Sequence, residues 1–211
     1  MKQVRATNDR PTVRQKLIAA AHRVMARDGV ETSSIPAIID EAGVGRGSFY
    51  NHFRSKEELA RAVFLEQTME LRAELDAISR STRDVPRSIS YAIRRCLETA
   101  GRDPLWGWFI VRVDDILKDF DRLMYESARI GLTRGHELGS VDVEDMHATI
   151  LLFSSAITAL MRAMLSGELS EARTYAASER LLRIAGVEPR LAREITREPM
   201  DELRRKLQLI A

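Results

Sequence analysis

Cysteine is nearly missing from this chain. The single Cys96 excludes an internal disulfide framework and any metal site built on several thiolates. The histidines are equally unhelpful for a metal: His22, His52, His136 and His147 are scattered, and "DVEDMH" reads as an acidic helix start. No metal and no cofactor are expected. Glycine and proline are scarce, at 11 and 6 of 211 residues, while Ala, Leu, Arg and Glu abound, which favours an all-α chain. No β-hairpin signal, internal repeat or low-complexity tract appears. No run of eighteen apolar residues occurs, so no membrane span is expected. The opening "MKQVRATNDRPTVRQK" lacks the apolar core of a secretion signal. Together these absences point to the cytoplasm. No motif for nucleophile activation accompanies Cys96, so catalysis is not expected either.

What is present can build a core: 45% of the residues are hydrophobic and 30% charged. The net charge of +2 is unevenly placed. Residues 1–27 hold Lys2, Arg5, Arg10, Arg14, Lys16, Arg23 and Arg27 against Asp9, a balance of +6, which leaves −4 for the rest. A basic head on a mildly acidic body suits a protein with one polyanion-binding end, although a solvated basic helix has the same composition.

Helical periodicity begins at residues 12–28, where Val13, Leu17, Ala20, Ala21 and Val24 recur and Gly29 can cap the end. "ETSSIPAIIDEAG" predicts a short second helix, capped by Ser33 or Ser34, with Pro36 in its first turn. "GRGSFYNHF" predicts a third. "SKEEL" opens a fourth, over about 56–79, through a capping box between Ser55 and Glu58. That helix is apolar on different sides at its two ends, as a connector between a small head and a larger body would be. Further helices are predicted at about 85–100, 103–117, 120–138, 142–167, 170–185 and 188–208.

The second and third helices hold the unusual chemistry. Gly43, Gly45 and Gly47 suggest a phosphate-cradling loop, but Ser48 stands where a dinucleotide fingerprint needs glycine, and a helix stands where it needs a strand. A Walker loop would need a Gly-Lys-Ser/Thr ending, which is absent. A helix-turn-helix accounts for more of the residues. Gly43 makes the turn. Gly45 and Gly47 let backbone approach DNA. Arg46 can bind guanine or phosphate, Ser48 and Tyr50 can bind phosphate oxygens, and Asn51 can read a base edge. Phe49 and Phe53, four apart, pin the helix inward.

On these residues the stretch "SSIPAIIDEAGVGRGSFYNHFRSKEEL" resembles the DNA-binding head of the TetR family of bacterial transcription regulators. The resemblance covers roughly residues 12–65. It implies an all-α fold: a three-helix head over residues 1–56, joined by the long helix to a helical ligand-binding and dimerisation body over 57–211. It implies DNA contacts at Thr12, Arg14, Ser33, Ser34, Gly45, Arg46, Gly47, Ser48, Tyr50, Asn51, His52 and Lys56. His52 has two readings, the core edge or a phosphate. Pro36 and Gly45 depart from the usual pattern, and Gly45 removes a hydroxyl contact. The resemblance also implies a homodimer reading a palindromic operator in double-stranded DNA, acting as a repressor and released by a small-molecule effector.

In the body, the last two long helices are the implied dimer surface, with Ile150, Phe153, Ile157, Leu160, Met161 and Met164 on the more apolar of the two. Pocket candidates are Cys96, Trp106, Phe109 and Tyr125, a lining that suits a hydrophobic or aromatic effector. Arg112 is expected to pair with Asp115. Two rival readings remain: a protein-interaction module that keeps the fold but acts through a protein partner, and an enzyme built in the helical body.

Overall fold

The structure, a computed structural model, describes residues 11–207, with only the backbone described at 171 and 172. Lys2, Arg5, Asp9 and Arg10 of the basic stretch and residue 208 of the last predicted helix lie outside the described residues. Within them the chain forms eleven helices and no strand: α1 Val13–Asp28, α2 Ile35–Ala42, α3 Arg46–Tyr50, α4 Lys56–Ser81, α5 Val85–Arg102, α6 Pro104–Arg112, α7 Asp114–Glu137, α8 Met146–Leu165, α9 Glu171–Ile184, α10 Pro189–Arg197 and α11 Met200–Lys206. The chain divides into two compact units between Glu66 and Gln67, and α4 belongs to both.

The first unit is built from capped helices around a small core. Thr12 caps α1 in a capping box with Gln15. Of the two candidate caps for α2, the structure selects Ser34, whose hydroxyl accepts the Ala37 N–H at 3.3 Å. Gly43 ends α2 in the left-handed region, at φ 62° and ψ 38°, where a side chain would be strained. Leu17, Ala20, Ala21, Val24, Ile38, Phe49 and Leu59 are fully buried here. At the start of α4, Glu58 donates its N–H to the Ser55 hydroxyl, as expected, but its carboxylate takes the Arg54 N–H rather than that of Ser55.

The second unit packs α5 against α6, α7, α8 and α9, with α10 and α11 closing over α5. Three predicted boundaries are corrected. The break expected after residue 117 falls at Val113, a β-branched residue in extended conformation, because Asp114 and Asp115 suit the first turn of the next helix. The predicted helix 188–208 is two helices: Glu198 precedes Pro199 and is driven out of the helical region to ψ 133°. Finally, α8 starts at Met146 rather than 142, because Asp145 caps it through the Ala148 N–H at 2.9 Å.

Helix α8 also qualifies the expectation of no span. By length and composition it is apolar enough to cross a membrane, with a mean hydropathy of 1.7 over eighteen residues. One side of it is core: Thr149, Ile150, Phe153 and Met161 are buried against α5, α6 and α7. The opposite side is open, with Leu151 and Leu152 half exposed and Ser155 and Ala159 beside them. The expected partner face is therefore corrected for Ile150, Phe153 and Met161, which the protomer itself buries. Ile157, Leu160 and Met164 are partly exposed.

Candidate nucleic-acid interface and effector cavity

Helices α2 and α3 are joined by Gly43, Val44 and Gly45, and α3 is a single turn and a half held by Phe49. The Phe49 ring is fully buried and meets Tyr50 edge-on and Phe53 at a tilt. With the aromatic anchors inside, Arg46, Gly47, Tyr50, Asn51 and His52 stand on the exposed side, and Ser48 is partly exposed. The exposure of His52 decides its orientation toward solvent rather than the core edge. Arg46 makes no ion pair among the described residues. Arg14 lies over the Phe53 ring at 5.4 Å, and the Thr12 hydroxyl is occupied with Gln15.

Gly45 and Gly47 are informative because the protein does not need them. A Cβ built on either meets nothing within 4 Å, and neither has a left-handed φ. Glycine within a helix costs roughly 0.5–1 kcal/mol relative to alanine. Intrachain packing offers no reason to keep it at Gly47.

Two expected contact residues are turned to internal work. Ser33 is buried, and its hydroxyl donates to the Val30 carbonyl at 2.7 Å. Lys56 is committed as well: its ammonium donates to the carbonyls of Val30, Glu31 and Ser33 at 2.9, 3.0 and 3.0 Å. Three donors and three acceptors leave it no proton for a phosphate.

The body holds a cavity of about 90 Å³ between α4, α5, α7 and α8. Cys96 and Tyr125 line it as expected, together with Phe120 and Met124. Trp106 and Phe109 do not. Trp106 is fully buried behind the wall, where its indole N–H donates to the Thr68 hydroxyl at 3.0 Å and its ring braces Phe120 edge-on. Arg112 does not pair with Asp115 but lies on the Trp108 ring at 3.8 Å, while Asp115 takes Lys118. Burial pushes the Cys96 thiol up to about 12, so it is an apolar wall group rather than a nucleophile.

Sequence reasoning missed the polar part of this wall. Ser127 donates its hydroxyl to Asp76, and Ser154 donates to Asp121. A carboxylate only accepts, so each serine proton points away from the cavity. Ser88 likewise donates to the Val85 carbonyl at 2.8 Å. These oxygens offer lone pairs inward. Among the described residues, no Lys, Arg, Asp, Glu or His lines the cavity. The sequence signal was Ser154 inside the apolar run of α8 and Ser127 on α7, but their acid partners lie 33 and 51 residues away.

Comparison with known proteins now decides the family. Residues 17–63 match the bacterial regulatory proteins of the tetR family, and residues 86–198 match the tetracyclin repressor-like C-terminal domain. The chain belongs to the TetR family. Its members are DNA-binding transcription regulators. Among solved TetR-type structures, RolR in complex with resorcinol superposes with a TM-score of 0.74 at 27% identity, covering 90% of this chain and 96% of that one. FadR from Bacillus subtilis, in complex with stearoyl-CoA, gives 0.68 at 16% identity over 80% of this chain and 97% of that one, a likeness of fold alone. The nicotine-responsive repressor HdnoR of Paenarthrobacter nicotinovorans is 31% identical over 51% of this chain and 51% of its own length. The chain thus spans about half the length of that curated relative. Among the described residues, no cluster of His, Cys, Asp or Glu is arranged to hold a metal ion.

Proposed function

We propose that this TetR-family regulator is a homodimeric repressor that reads a palindromic operator and is released by a compact, uncharged, apolar molecule carrying hydrogen-bond donors. The observation that carries the DNA half is the pair Gly45 and Gly47, small without internal cause on the exposed side of α3. One helix-turn-helix reads few base pairs, so two heads spanning successive major grooves, about 34 Å apart, are the economical arrangement.

The open side of α8 supports the dimer. Leu151 and Leu152 present apolar surface beside the small residues Ser155 and Ala159, a face that lets a second helix approach closely. The outward side of α9 adds Ala176 and Ile184.

The cavity supports the effector class. Its apolar lining favours a ring, and the lone pairs of Ser88, Ser127 and Ser154 favour a ligand that brings protons. Resorcinol, which RolR binds in its crystal structure, is a single ring with two such protons. Helix α4 carries Leu75 and Ser79 on the cavity wall and Lys56 at its other end, so it is the element through which occupancy would bear on DNA binding. Coupling of this kind is reciprocal: DNA must weaken the effector as much as the effector weakens DNA.

The test is fluorescence anisotropy on the DNA upstream of the gene and on random DNA, across a salt series, with resorcinol, phenol and benzoate added in turn. Specific binding with dimer stoichiometry, weakened by salt and by the phenols but not by benzoate, is expected. Binding no better than to random DNA, also after operator selection from a random library, would favour the protein-interaction reading instead.

A further inference from the structure

Arg94 is a buried charge with no counter-ion among the described residues. Its residue is 7% exposed, in the middle of α5, yet it makes no ion pair among the described residues. One guanidinium N–H donates to the main-chain carbonyl of Glu198 at 2.7 Å. The Tyr175 ring lies under the group, with its centroid 4.9 Å from Cζ. The two acids that act on Arg94 are engaged elsewhere. Glu98 takes Arg102 at 2.7 Å, Arg204 at 3.0 Å and Arg95 at 3.6 Å. Glu198 takes Arg87 at 2.7 Å and Lys206 at 2.9 Å. Burial accordingly pushes the Arg94 pKa down, and Tyr175 offsets this only in part.

The same guanidinium lines a second cavity, of about 330 Å³, separate from the one above and formed by α5, α8, α9 and α11. Leu97, Met164 and Met200 give it an apolar side, Gly101 leaves it open on the α5 side, and Glu98, Thr174 and Tyr175 complete the wall; the Glu98 charge is taken up by Arg102 and Arg204. A planar, forked guanidinium on the wall of a largely apolar cavity matches a carboxylate in a bidentate geometry.

We infer that this cavity is a second ligand site, one that binds a small apolar carboxylate through Arg94. Unlike the first cavity, it has a cation on its wall. It is independent of the proposal about the effector.

The test is isothermal titration calorimetry on the full chain with benzoate and hexanoate, each against its neutral amide. Saturable binding of a carboxylate, at least roughly tenfold tighter than its amide, is expected from a charge-assisted bond. Arg94→Gln should abolish that preference. Because Arg94 also holds the Glu198 carbonyl, a second variant keeps it in place: Gly101→Leu. A Cβ at Gly101 would lie 3.8 Å from the Met164 methyl, ordinary contact, so a larger side chain can start there and extend toward the cavity. It should weaken the carboxylate by roughly tenfold or more, while Ser127→Leu in the first cavity should leave it unchanged. Carboxylates that bind no better than their amides, or that bind Gly101→Leu as well as the natural chain, would overturn the inference.

Discussion

The ammonium of Lys56 lies 3.0 Å from the carbonyl oxygen of Ser33, at the apex of a tripod that also holds the carbonyls of Val30 and Glu31. The residues it joins are 23 to 26 positions away. This one side chain ties the turn between α1 and α2 to the first residue of α4. It sets the position of α2, and through Gly43 that of α3. Lys56→Met removes three acceptors' partners at once. The variant should lose about 1–3 kcal/mol of stability, read by urea denaturation. An unchanged midpoint would mean that the tripod is ornamental.

The open side of α8 gives a direct prediction for assembly. Leu151 and Leu152 are 50% and 54% exposed, so Leu151→Glu with Leu152→Glu disturbs no core contact. The natural chain should sediment as a dimer and the double variant as a folded monomer. A glutamate at Phe153, by contrast, falls inside the protomer and should unfold the body.

Glu198 stands between α10 and α11 and accepts a bidentate pair from Arg87, with Lys206 on the same carboxylate. Burial alone would raise its pKa. The hydrogen bonds from Arg87 and Lys206 outweigh this and hold it below the ordinary value of 4.5. A depressed native pKa contributes stability that is complete above the unfolded value and is lost as pH falls through the native one. Glu198→Gln should therefore lower stability at pH 7 by about 1–2 kcal/mol and flatten the fall in Tm below about pH 4.5. A parallel fall in both proteins would remove Glu198 from the acid response.

Cys96 should be inert while the protein is folded. With its thiol pushed up to about 12 by burial, its thiolate fraction near neutral pH is roughly three orders of magnitude below that of a free cysteine. Native protein should react with a thiol reagent only as fast as it opens, and urea should release one rapid equivalent. Rapid labelling of the native state would show that the cavity wall is open to solvent.

The head was legible because each of its parts acts locally. Gly43 marks a turn wherever it sits between two short apolar runs, Ser34 caps the residue three ahead, and Phe49 and Phe53 share a face by spacing alone. What escaped depends on distant partners. Lys56 has the composition of a phosphate ligand and is consumed by carbonyls from another part of the chain. Trp106 was as good a pocket residue as Tyr125 until Thr68, 38 residues earlier, claimed its N–H. In α8 the apolar residues nearly encircle the helix, so periodicity could not say which side faces inward. Leu151 and Leu152 turned out to be outside, and Phe153 inside. Breaks by a single residue, such as Val113, are likewise set by how the two flanking helices pack.

The central claim is that α3 is shaped by a surface that the chain itself does not supply. Gly47→Ala tests it most directly, through paired measurements of stability and of affinity for an operator selected from a random library. A Cβ at Gly47 meets no atom of the protein. The variant should be as stable as the natural chain, or more stable by up to about 1 kcal/mol, while binding the operator roughly tenfold more weakly for a steric loss of about 1.4 kcal/mol. Unchanged affinity in a folded dimer would contradict the account and move the DNA contact away from α3.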